Sequence, residues 1–159
     1  MKIRNSALGF TLMELILVVV LLSILSLFAA SRFMGSSSFS AYTLQERVIS
    51  VIRQVQVNRM QSNVASPDNN FRLQVSSSCV GSVAACELTG SAQDARSDVV
   101  IDKSAKFSVI SGAANTINFN LLGNPVSGAV NILIEDKHGR SRCQVEINSQ
   151  GYVSKGTCS

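Results

Sequence analysis

The stretch Gly9-Phe10-Thr11-Leu12-Met13-Glu14 opens a largely apolar run that continues to Ala30. A helix of this length can cross the hydrocarbon core of a bilayer. Glu14 is the one charged residue in the run. A charge inside a membrane segment costs about 3 kcal/mol near the centre and less near an end. Because a plain anchor does not need this carboxylate, Glu14 is a candidate functional residue.

The residues before the run include Lys2 and Arg4 and no acid. This bias predicts a cytoplasmic N-terminus and export of the remaining chain. Two processing sites remain open from the residues alone. A conventional signal peptide would be cut at Ala29-Ala30-Ser31, whereas cleavage after Gly9 would keep the apolar run on the mature protein. In the second case the new amine of Phe10 would need an opposite charge, which Glu14 can supply.

The leader resembles the class III leader of type IV pilins and type II secretion pseudopilins, through Gly9, Phe10, Glu14 and the apolar residues 15–22. The resemblance implies that prepilin peptidase cuts between Gly9 and Phe10 and that Phe10 is N-methylated. It also implies that Glu14 pairs with the Phe10 amine of a neighbouring subunit during filament assembly. An ion pair within one chain is the alternative.

The same resemblance implies the partners and the location of the protein. The partners are other pilin subunits, prepilin peptidase and the inner-membrane pilus assembly machinery. Before assembly the protein is expected in the inner membrane as a single-pass protein with a periplasmic domain. After assembly it is expected in a pilus or pseudopilus filament.

We expect four segments along the chain. They are a prepilin leader at 1–9, a transmembrane or filament-core helix half at 10–30, an amphipathic helix half at 31–63, and a globular β domain with a C-terminal disulfide loop at 64–159. Gly35 and Ser36-Ser37-Ser38 mark a weak point between the helix halves, and Pro67 with the polar residues after it ends the helix. The whole helix would be about 54 residues long.

Apolar periodicity predicts how the helix packs. Residues recur at three- and four-residue spacing at Leu44, Val48, Val51, Ile52 and Val55. After residue 70 the pattern changes to short β-rich runs at 71–75, 86–89, 99–101, 107–110, 116–120, 130–135, 143–148 and 152–154. Such runs indicate an antiparallel sheet built of hairpins. We expect the sheet to pack on the apolar stripe of the helix, which gives an α+β fold.

Four cysteines in an exported chain are best interpreted as two disulfides, for which three connectivities exist. Cys79 and Cys86 bracket a short loop, and Cys143 and Cys158 bracket the C-terminal segment. We therefore predict these two local pairs. Pilin-like proteins staple their C-terminal loop in a similar way.

Enzymatic chemistry finds little support. His138 is the single histidine, and the sequence contains no zinc-protease motif and no phosphate-binding glycine pattern. We expect no metal site, no cofactor and no enzymatic activity. His138 is expected in a solvated hairpin turn. The scattered carboxylates are also expected in solvent, at Asp94, Asp98, Asp102, Glu135, Asp136 and Glu146.

The C-terminal half, from Ile117 to Val153, resembles minor pilins and pseudopilins of the GspH/FimT type, and residues 47–60 resemble the minor pilin of mannose-sensitive haemagglutinin pili. The resemblance implies a minor pilin that supports filament assembly and surface attachment. A type II secretion pseudopilin is the alternative.

A third alternative is a minor pilin that binds DNA for natural transformation. Some FimT-like proteins use a Gly-Arg-x-Arg segment, to which Gly139-Arg140-Ser141-Arg142 is similar. Arg140, Arg142 and Lys155 would then form a phosphate-contacting patch. The net charge of +4, half of it from Lys2 and Arg4, is too small to indicate nucleic acid by itself.

Overall fold

The computed structural model describes residues 11–34, 40–112 and 114–159. The chain divides into two compact units, Met1–Ser36 and Ser37–Ser159. The predicted cleavage site between Gly9 and Phe10 lies outside the described residues, as does the predicted weak point at residues 35–38. The expected continuity of the two helix halves depends on these same residues and stays a prediction.

The first unit contains helix α1, Leu12–Met34. From Leu12 to Leu25 its large apolar side chains are between 46% and 77% exposed. Helices are apolar on all sides where lipid or other protein surrounds them. Among the described residues, none of the helices combines the length and the apolarity needed to cross a membrane.

The second unit is built around helix α2, Ser40–Gln61. Its buried face carries the apolar stripe predicted from the sequence, with Ala41 added at its start. The helix ends two residues before the predicted boundary at 63, and the polar segment that follows contains turns and bends.

Two four-stranded antiparallel sheets pack against α2. The first has the order β3-β2-β1-β5, with β1 at Arg72–Val75, β2 at Cys79–Ser82, β3 at Val99–Ile101 and β5 at Thr116–Asn118. The second has the order β4-β6-β7-β8, with β4 at Ala105–Ser111, β6 at Val130–Asp136, β7 at Arg142–Ile147 and β8 at Val153–Cys158. The predicted α+β fold is confirmed, although its strands form two sheets.

One core joins the helix to both sheets. Ile52 and Val55 of α2 belong to the same buried cluster as Leu73 of the first sheet and Ile132 of the second. In β6 buried residues alternate with partly exposed ones, as expected for a strand with one face on the core. The second unit therefore has a single hydrophobic core.

The segment between β1 and β3 differs from the prediction. The expected strand at 86–89 is wrong, because Cys86 ends a short helix α3, Val83–Cys86. Ser82 starts that helix by accepting a hydrogen bond from the Ala85 backbone N–H at 3.1 Å. A second short helix, α4, spans Ser91–Asp94.

Strand β2 was missed because its glycine and serine resemble a loop. Gly81 is required there by a close backbone approach, since a Cβ at this position would lie 2.6 Å from the Asp98 carbonyl oxygen. The structure contains the disulfides Cys79–Cys86 and Cys143–Cys158, which are the two local pairs expected from the sequence.

Polar side chains attach α2 to the backbone of the sheets and loops. Gln45 Nε2 donates to the carbonyl oxygens of Gln144 at 2.7 Å and Gly156 at 3.2 Å, where the β7–β8 pairing shifts register. Arg53 Nη2 donates to the Val153 carbonyl at 2.9 Å. Gln45 and Arg53 thus both contact the second sheet.

Gln56 joins two loops that have the same backbone geometry. The loops begin at Asn120 and Asn148, and in each the asparagine Oδ1 accepts from the backbone N–H groups two and four residues later. The fourth residue of each is a glycine with positive φ, Gly123 or Gly151. Gln56 Nε2 donates to both glycine carbonyls, at 2.9 and 2.8 Å.

We predict that Gln56→Ala lowers the free energy of unfolding by about 2 kcal/mol, because two carbonyls at a buried junction lose their donor. Urea denaturation of the mature chain in detergent measures the change. Gln54→Ala is the matched control, since Gln54 bonds only to the Ser97 hydroxyl at an exposed position. The control is expected to change stability by less than about 0.5 kcal/mol. Equal losses in the two variants would contradict this role for Gln56.

Candidate functional site

The first candidate site is the N-terminal turn of α1. Thr11 precedes the helix, and its Oγ1 accepts a hydrogen bond from the Glu14 backbone N–H at 3.2 Å. Threonine followed three residues later by glutamate is the sequence pattern of a capping box. A carboxylate in the first turn is also favoured by the helix dipole. The first turn is therefore a favourable local position for a carboxylate, which the sequence analysis did not consider alongside the predicted assembly role of Glu14.

The basic residues proposed for DNA contact lie at different places on the second sheet. Arg142 Nε lies 2.9 Å from Glu135 Oε1, its neighbour across the β6–β7 pair. These two residues lie on the sheet face away from the core, since the residues adjacent to them, Ile134 and Cys143, are buried.

Lys155 belongs to the opposite face of the same sheet. It is paired in register with Val145, which is buried in the core, and directly paired residues point to the same side. Its Nζ forms an ion pair with Glu46 of α2. Arg140 is exposed in the β6–β7 turn and has no ion pair within the described part of the chain. Two of the three cations are thus already next to a carboxylate, on different faces.

Two carboxylates expected in solvent are buried. Asp98 is 5% exposed, and Arg96 holds it through two hydrogen bonds of 2.8 and 2.7 Å. Burial raises the pKa of Asp98, but hydrogen bonds with Arg96 and Ser82 and the charge of Arg96 outweigh burial and hold that pKa below its ordinary value. This pair fixes the loop before β3 against the start of α3.

Asp136 is 4% exposed at the end of β6, where its backbone N–H donates to the Ser141 carbonyl at 3.0 Å. It therefore forms the base of the β6–β7 turn. His138 is exposed in that turn, as expected. No cluster of metal-binding side chains is found among the described residues.

Arg59 was not identified as a candidate by the sequence analysis. It is 3% exposed although it carries a charge. The position could have been found from the helical spacing, because Arg59 follows Val55 by four residues and so continues the buried stripe. An arginine on the apolar face of a helix requires partners in the interior.

Residues 4–30 match the prokaryotic N-terminal methylation motif. This is the motif of type IV pilin-like proteins, and it implies processing and assembly into a pilus-type filament with other subunits. No curated protein and no solved structure matches the chain. The matched residues include Gly9, Phe10 and Glu14, so the motif covers the N-terminal site and leaves the β domain unassigned.

We predict that replacing both Arg140 and Arg142 with glutamine leaves DNA binding by the mature chain unchanged, because Arg142 is paired with Glu135 and Arg140 is then a single exposed cation in the β6–β7 turn. Titration of a DNA duplex at several salt concentrations, followed by fluorescence anisotropy, measures the affinity and its salt slope. Glu135→Gln is the complementary variant, which frees Arg142 without removing it. A salt slope that falls by up to about two units in the double variant would show phosphate contacts at these arginines and contradict the prediction.

Proposed function

We propose that this protein is a minor pilin that is cut by prepilin peptidase between Gly9 and Phe10 and incorporated into a type IV pilus. There it supports filament assembly and surface attachment. The observation that carries the proposal is the methylation motif at residues 4–30, which overlaps a helix whose large apolar side chains are exposed from Leu12 to Leu25.

The exposed surface of α1 explains why such a subunit needs partners. Burying apolar surface contributes about 25 cal/mol per Å², so a helix of large aliphatic side chains is strongly stabilised by lipid or by other apolar helices. In the proposal α1 is held in the inner membrane as a single-pass anchor before assembly. It then packs with the same helices of other pilin subunits in the filament core.

Glu14 gives this packing its register. An amine on Phe10 and a carboxylate at Glu14 are each expensive in apolar surroundings, and pairing them between neighbouring subunits offsets part of both costs. The N-terminal turn places Glu14 at the start of the helix, close along the chain to the proposed cleavage site. We propose no enzymatic activity and no cofactor.

The resemblance of residues 117–153 to minor pilins of the GspH/FimT type supports the minor-pilin role, and residues 47–60 favour the mannose-sensitive haemagglutinin pilus as its system. A type II secretion pseudopilin would share the same leader and helix. Identifying the genes next to this one would distinguish a minor pilin from a pseudopilin. Pilus genes with a major pilin and an assembly ATPase would favour a minor pilin, and secretion genes would favour a pseudopilin. DNA uptake is the third alternative, and the carboxylates beside Arg142 and Lys155 reduce the positive charge available for it.

We predict that Glu14→Gln removes this protein from sheared filaments while leaving its amount in the membrane fraction unchanged. Glutamine keeps the capping pattern of the first turn but carries no charge, so the variant separates the assembly role from the local one. Quantitative immunoblotting measures the ratio of this protein in the filament fraction to this protein in the membrane fraction.

Thr11→Ala is the matched control, because it removes the Thr11 hydroxyl that caps the helix and keeps the carboxylate. This control is expected to reach filaments. If the Glu14→Gln variant enters filaments normally and the Thr11→Ala variant does not, capping of the helix is what assembly requires. That result would contradict the proposed contact between Glu14 and the Phe10 amine.

A further inference from the structure

A cleft of about 450 Å³ lies beside the C-terminal end of α2, between the loop that follows this helix and the paired strands β1 and β5. Arg59 and Arg72 both line it. No aspartate or glutamate of the described residues is among its lining. Two cations thus face one cleft with no carboxylate to balance them.

Most of the Arg59 guanidinium is already committed to the protein. Its Nε donates to the Phe119 carbonyl at 3.0 Å, and its Nη1 donates to the Ser62 hydroxyl and the Val64 carbonyl at 2.9 and 2.8 Å. Nη2 has only a long contact of 3.4 Å to the Ala65 carbonyl. Nη2 is therefore the nitrogen with unused donor capacity, on a residue that is only 3% exposed.

The neighbouring polar side chains also offer donors. Arg72 uses Nε to bond Asn118 Oδ1 at 2.9 Å, and within the described residues its two Nη groups have no hydrogen-bond partner. The side-chain oxygen of Asn120 accepts from the backbone N–H groups of Leu122 and Asn124. Both asparagine oxygens are occupied, which leaves their amide NH₂ groups to donate.

The cleft thus combines two guanidinium groups, two amide NH₂ groups and the Ser66 hydroxyl, and all of them can donate. A ligand that satisfies such a set is rich in acceptors and negatively charged, and the planar fork of arginine matches a carboxylate. Pro67 and Val126 add apolar surface to the lining, which suits the C–H face of a sugar ring. The volume lies in the ordinary range of small-molecule sites.

We propose that this cleft binds a monosaccharide-sized sugar acid, with the carboxylate on Arg72 and the free edge of Arg59 and the ring hydroxyls on Asn118, Asn120 and Ser66. The site goes beyond the filament role and does not depend on it. It would give the domain a specific contact with acidic polysaccharide.

The test uses the mature chain in detergent micelles and four probes at constant ionic strength: glucuronate, acetate, inorganic phosphate and glucose. Ligand-observed NMR titration measures each affinity. We expect glucuronate to bind, acetate and phosphate to bind more weakly, and glucose to show no binding. Tighter binding of phosphate than of glucuronate would overturn the assignment of a carboxylate, and equal binding of glucose would overturn the role of charge.

Variants locate the binding in this cleft. Arg72→Gln is expected to weaken glucuronate binding by about tenfold or more, because the variant loses one charge-assisted hydrogen bond to the carboxylate. Ser66→Glu places an acid at an exposed position of the lining and is expected to abolish binding. Ser149→Glu and Arg140→Gln are matched controls at exposed positions elsewhere, and both are expected to bind normally. Unchanged binding in Arg72→Gln and Ser66→Glu would overturn the proposal.

Discussion

The β domain depends on hydrogen bonds from buried polar side chains of α2 to backbone carbonyls. Gln45, Gln56 and Arg59 are each less than 7% exposed, and their donors reach the β7–β8 pair, the two matched loops and the strand end at Phe119. A buried donor without a partner is expensive, so these residues fix how far the helix is rotated and how it is aligned along the sheets. Burial of the apolar stripe stabilises the packing of α2 on the sheets, while the polar side chains select one rotation and one alignment of the helix.

The same constraint creates the cleft. Arg59 extends the buried stripe by one turn, and its bonds to Phe119 and to the segment after α2 hold the loop next to β5. Those bonds leave one edge of the guanidinium without a strong partner and place it near Arg72. A residue that stabilises the fold therefore also supplies charge to a surface where a ligand can bind.

Local patterns predicted the parts of the fold that depend on local sequence. Leu44, Val48 and Ile52 have the helical spacing that burial requires, and β6 has the alternation of a strand with one buried face. Strand β2 could not be predicted, because Gly81 is needed for a contact with the distant Asp98 backbone. The division into two sheets and the burial of Asp98 against Arg96 likewise depend on partners that no short window contains. The leader was predicted from its residues, and its match to the methylation motif confirms that part of the interpretation.

In the proposed function the chain becomes a filament subunit by losing its first nine residues and exposing a new terminus at Phe10. Mass spectrometry of the protein recovered from sheared filaments reads that terminus directly. We expect a chain that begins at Phe10 and carries one methyl group on its amine. A mature chain that begins at Ser31, or one that retains Met1, would contradict it.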